Sequence, residues 1–138
     1  MTVSKETRLG TISLSNEVFA QIIFDGLLQE PCIDRIWPST PRGRQVGIID
    51  RFTDSEFALY ISAGRDADER ITLEFSVIVQ FGLSIKSLTG TLADYIADRI
   101  LAMEGDRPSM ITINIAGVRS RHKARRNTKV VYHYESVR

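Results

Sequence analysis

Arg119, Arg121, Lys123, Arg125, Arg126 and Lys129 fall within eleven consecutive residues near the end of the chain, its densest run of one kind of chemistry. Cations at this spacing can neutralise nucleic-acid phosphates, each contact releasing condensed counterions, or lie against an anionic membrane surface or an acidic protein. The only aromatic residues near the run, Tyr132 and Tyr134, sit downstream of it, and an acidic body would repel a polyanion. Among binding readings, anionic lipid or acidic protein therefore stands ahead of nucleic acid. The bland alternative is a solubilising tail.

Elsewhere the chemistry is sparse. Cys32 follows Pro31 at the expected end of a helix, with no histidine near it in sequence. A reactive thiol needs a neighbour that depresses its pKa, so a partly buried structural cysteine is expected. His122 and His133 are the only histidines, and without a second cysteine or ligand spacing they make no zinc site. Asp66, Asp68 and Glu69 are hard-cation ligands by type, but the glycine and glutamate of a calcium loop are missing, so a solvated turn is expected. Asp94 and Asp98 fall opposite the apolar stripe of a helix and read as its wet face, not as an acid/base pair. Gly43 and Gly47 lack the Lys-Ser/Thr of a phosphate loop. No catalytic residue, metal ligand, cofactor or small-molecule substrate is expected.

The net charge of +1 hides an asymmetry: residues 1–118 carry 11 basic and 16 acidic residues, residues 119–138 carry 7 and 1. At 138 residues a single domain with its own core is expected. One cysteine rules out an internal disulfide and agrees with a reducing compartment. No apolar run reaches the length of a membrane span, and MTVSKETR lacks the apolar centre of a signal peptide, so a cytoplasmic location is expected.

The element around which the chain is organised is Ile71–Gly82. Ile71, Leu73, Phe75, Val77, Val79 and Phe81 alternate with Thr72, Glu74, Ser76, Ile78 and Gln80, which gives a strand one apolar face. After Gly82 the period changes: Ile85, Leu88, Leu92, Ile96, Ile100 and Met103 form one stripe of a helix. Upstream, Gly10–Leu14 reads as a strand and Ser15 as the N-cap of a helix running to Pro31. Gly26 inside it costs about 1 kcal/mol relative to Ala unless it permits close packing. Phe57–Ala63 reads as a strand, Gly64–Arg70 as a hairpin turn, and Met110–Val118 as a last strand. Residues 31–56 carry turn chemistry around Pro38 and Pro41, with Val46, Ile48 and Ile49 as a strand or an anchored loop. The expected fold is an α+β two-layer sandwich in β-α-β-β-α-β order: a mixed, mostly antiparallel four-stranded sheet with two helices on one face. Residues 1–8 are expected to be flexible, 9–118 to form the domain, and 119–138 to be a basic tail. Within that tail 119–129 would be mobile, and VVYHYE has strand propensity.

Three segments, GTISLSNEV at Gly10–Val18, VIVQFGLSI at Val77–Ile85 and INIAGV at Ile113–Val118, occur in an order and spacing that resemble the alkaline shock protein family, the Gls-type general stress proteins of bacteria. The resemblance covers roughly residues 9–118. It implies a non-enzymatic cytoplasmic protein of cell-envelope homeostasis and stress. Some members of that family gather at the membrane by binding a membrane-anchored partner, often as oligomers, and none has an accepted catalytic residue. The chain departs from the pattern at Pro31-Cys32-Ile33, where the family usually has Pro-Gly-Val. Residues 34–56 and the basic tail also depart from it. The expected function is a scaffold or adaptor working through protein contacts, with a nucleic-acid-binding module that uses the tail as the alternative.

Overall fold

The computed structural model describes residues 2–7, 10–46, 54–82, 84–119 and 124–137. In chain order its elements are β1 (Thr2–Thr7), β2 (Gly10–Ser15), α1 (Asn16–Leu27), β3 (Ile36–Ser39), α2 (Asp54–Ala58), β4 (Ser62–Arg65), β5 (Ile71–Gln80), α3 (Ile85–Glu104), β6 (Met110–Arg119) and β7 (Ala124–His133). The class is α+β, as expected: an open, mostly antiparallel sheet of five strands, with helices against one face. The element order is longer than the one read from the pattern.

β5 is the axis of the sheet. Its period-two face (Ile71, Leu73, Phe75, Val77 and Val79) is fully buried beneath the helices, with Ile111, Ile113 and Ile115 of β6 beside it. β6 runs parallel to β5 through the α3 crossover, the arrangement a helix-linked strand pair requires. On its other side β5 takes two short antiparallel strands end to end: β3 opposite Ser76–Val79, and β4 opposite Ile71–Glu74. β7 is antiparallel to β6 at the far edge. Ser15 caps α1 by accepting from the Val18 amide at 3.4 Å, and Ser84 caps α3 in the same way from Ser87. Among the described residues no helix is long and apolar enough to cross a membrane.

Four expectations need correction. Of residues 119–129, expected to be mobile, 120–123 lie outside the described residues, Arg119 ends β6, and 124–129 belong to β7, a full strand of the sheet running to His133. Sequence periodicity missed it because the alternation of Thr128, Val130 and Tyr132 is short and follows five cations. Residues 2–7 are not loose but pair antiparallel with β2, and the two form a separate two-stranded sheet; Gly10–Leu14 is therefore not a strand of the main sheet. Phe57–Ala63 is not one strand. Phe57 and Ala58 end α2, which opens on Asp54 and Glu56, acids favoured at a helix N-terminus. Leu59, 78% exposed, sits in the turn before β4. Phe57 is instead a core keystone, edge-on to Phe24 at 5.4 Å and to Phe75 at 6.3 Å. Finally, Phe81 does not share the helix-facing register: β5 stops at Gln80, and Phe81 is 70% exposed.

Of the stretch left open, Ile36–Ser39 is β3. Its Pro38 lies on a short outer strand, where a missing N–H is tolerated. Val46 is buried and donates its amide to the Pro38 carbonyl at 3.1 Å, whereas Ile48 and Ile49 lie outside the described residues. Gly26 does permit close packing: a Cβ there would meet Leu92 Cδ1 at 2.8 Å and Tyr95 Cδ1 at 2.9 Å, so the glycine sets the approach of α1 to α3.

The C-terminus is clamped by Asp106. Burial by itself raises the pKa of this carboxyl, but the Ser136 hydroxyl and the amides of Val137 and Arg107 donate to it, with the Arg70 guanidinium at 3.7 Å, and together they hold it below the ordinary carboxylate range. A depressed folded-state pKa gives stability that is complete above the unfolded value of about 4 and is lost as pH falls through the folded value. Asp106→Asn is therefore expected to flatten the fall in melting temperature below about pH 4, read by thermal denaturation across pH. An unchanged slope would show that the clamp is not linked to folding.

Candidate partner-binding face

The face of the sheet away from the helices is built by the other half of each alternation. Trp37 of β3 stands opposite Ile78 of β5, and Ile78 opposite Gly117 of β6, with Arg125 of β7 at the next register position. A second row runs Ser39, Ser76, Asn114, Lys129, and a third Glu74, Thr112, Val131. Part of this face is covered. The loop after β3 folds back, with the Thr40 amide donating to the Arg44 carbonyl at 2.8 Å, and presses Gly43 onto β6. A Cβ at Gly43, whose φ is +88°, would lie 2.7 Å from the Ala116 carbonyl oxygen. Ser76 and Ile78, expected on the open face, are thus buried, while Thr72, Glu74 and Gln80 keep some exposure.

The six basic residues do not stay together. Arg119 ends β6 on this face, and its guanidinium stacks over the Trp37 ring at 4.7 Å from the centroid. Arg121 and Lys123 lie outside the described residues. Arg125 and Arg126 are in β7, Arg125 in register with Gly117. Lys129 is exposed, with Nζ 3.8 Å from Glu74 Oε2, an oxygen that also accepts from Asn114 Nδ2 at 2.9 Å. A cleft of about 280 Å³ is lined by Pro41, Glu74, Asn114, Ala116 and Lys129. Buried Ser76 Oγ and Asn114 Oδ1 find no hydrogen-bond partner among the described residues, which leaves the second row with unused polar capacity. Sequence reasoning missed Trp37 as a member of this face; its only signal was an aromatic beside Ile36 in a segment without clear period.

Cys32 is buried, its Sγ–H directed at the Leu88 carbonyl at 3.7 Å, and burial pushes the thiol pKa up, the reverse of an activated nucleophile. Asp66 organises the turn between β4 and β5 by accepting from the amides of Asp68 and Arg70. Burial raises its pKa, but these bonds outweigh that and lower it. Asp94 and Asp98 are exposed, and Asp94 accepts the Tyr134 hydroxyl proton at 2.9 Å. Burial and Asp94 together push the Tyr134 pKa far above its usual value. His133 is exposed on β7, and His122 lies outside the described residues.

Fold and face together define an α+β protein with a half-covered sheet surface ending in a basic edge strand. Neither protein-family models, curated proteins nor solved structures gave a match to the chain.

Proposed function

We propose that the protein is a non-enzymatic adaptor or scaffold that works through protein contacts made by the open sheet face and its β7 edge. The observation that carries this reading is the placement of Arg119, Arg125 and Lys129 on β6 and β7, beside a half-buried Trp37 and an exposed Val131. Basic, aromatic and aliphatic side chains on regular strands make a surface for a partner. The resemblance to alkaline shock proteins supports a cytoplasmic, stress-linked role at the cell envelope, with a membrane-anchored or envelope-associated partner and self-association as further parts of the proposal. The nucleic-acid reading rests on Arg119, Trp37 and the exposed Phe81. It is the weaker one, because Arg119 already occupies a face of Trp37 and Phe81 follows the end of β5.

The test is affinity capture with the full chain from membrane and soluble fractions of the source cells, with and without nuclease, at low and high salt. Stoichiometric recovery of a membrane-associated protein that survives nuclease supports the adaptor. Recovery of nucleic acid alone, lost with salt, would replace it with the second reading.

A further inference from the structure

We infer that the outer edge of β7 receives an extended acidic segment of a partner protein as an added strand, which makes the sheet continuous between the two molecules. The inference rests on the adaptor reading and names the chemistry of its partner.

β7 is ten residues long and pairs, among the described residues, only with β6. About half the residues of an edge strand direct their N–H and C=O groups outward, and a strand of this length is a template for another chain. Folded proteins blunt such edges with charge, and β7 carries Arg125, Arg126 and Lys129, with Arg119 at the end of its neighbour. Two copies of β7 placed edge to edge would bring these cations together, and like charges opposite each other are unfavourable. The same charges favour an acidic strand. The nearest acid on the face, Glu74, is already engaged inward by Asn114 and Lys129.

The two sides of the edge fix the pattern of that strand. Lys129 faces Glu74 on the open side, and Val131 and His133 follow it at period two, both exposed. Val130 and Tyr132 lie on the helix side, half-buried against the core, with the Tyr132 hydroxyl donating to the Lys86 carbonyl at 3.1 Å. An added strand would thus place acidic residues beside Lys129, and β-branched apolar residues beside Val130 and Tyr132. Acidic/apolar alternation is the recognition signature.

The test titrates the full chain into a labelled twelve-residue peptide alternating Glu with Val or Thr, followed by fluorescence anisotropy. Two controls are the same composition with two adjacent central prolines, which keeps the charge but removes strand pairing, and a single-stranded oligonucleotide. Binding of the alternating peptide is expected, weakened at least about tenfold by the prolines, whose missing N–H groups break the ladder. Lys129→Glu and Arg125→Glu, checked by thermal melting for an intact fold, are each expected to weaken it about five- to tenfold as an opposite-charge neighbour becomes a like-charge one. Amide hydrogen exchange in β7 should slow on peptide addition. Equal binding of the proline peptide or the oligonucleotide, or no binding at all, overturns the inference. A partner captured equally well by wild type and both variants also overturns it, while leaving the adaptor reading in place.

Discussion

A chain cut after Arg119 is expected to lose cooperative folding altogether. If the last residues were an appendage, the cut would leave a compact core, but β7 closes one side of that core. Val130, Tyr132 and Tyr134 pack against it, and the Tyr132 hydroxyl bonds to Thr89 at 2.6 Å as well as to the Lys86 carbonyl. Arg70 donates to the Tyr134 carbonyl at 2.6 Å, and Asp106 holds Ser136 and Val137. Truncation would uncover the whole flank of β6, leave its ladder groups facing water, and expose apolar surface worth about 25 cal/mol per Å². Domains of this size have only about 5–15 kcal/mol in hand, so the loss of a ten-residue edge strand that packs on the core exceeds the margin. Circular dichroism melting reads the outcome directly. A truncated chain that melted cooperatively within a few degrees of the full one would show β7 to be dispensable.

Removing one partner of the Arg65–Glu104 ion pair is expected to cost about 3–5 kcal/mol, because the remaining buried charge loses its ion-pair partner. Arg65 ends β4 and Glu104 ends α3; their side chains are 9% and 4% exposed and joined by a direct hydrogen bond. Glutamate is the wrong charge for a helix C-terminus, where the macrodipole is negative, so the guanidinium has to offset that as well as the desolvation. Arg65→Met should lower the urea midpoint strongly. Arg65→Met with Glu104→Met should recover most of the loss, since an apolar pair of similar volume has no charge to bury. An Arg65→Met protein within about 1 kcal/mol of wild type would mean that the pair behaves like an exposed one.

The two expectations differ in how visible they were beforehand. The strand at Ile71–Gln80 and the helix beginning at Ile85 were legible because burial imposes a period, and a period survives in one dimension. Ile71, Leu73, Phe75, Val77 and Val79 recur at period two, Leu88, Leu92, Ile96 and Ile100 recur at helical spacing, and all are buried. The cap at Ser15 is equally local. From these the α+β class follows.

The face was not legible in this way. Arg119 and Lys129 read as neighbours in a charged run, yet one lies over Trp37 and the other beside Glu74, because β6 and β7 pair antiparallel. Neither the Arg65–Glu104 pair, separated by 39 residues, nor the contact of Gly43 with Ala116 has a local signature. Phe57 shows the limit most plainly: its apolarity marked it for the core, but the choice of helix over strand fell to the acids before it and to the rings of Phe24 and Phe75 on either side. Sequence alone determined which residues must leave water and the period at which they do so. Tertiary structure decided which polar and charged groups meet, because those pairings join strands distant in the chain, and periodicity carries no record of which distant strand lies alongside.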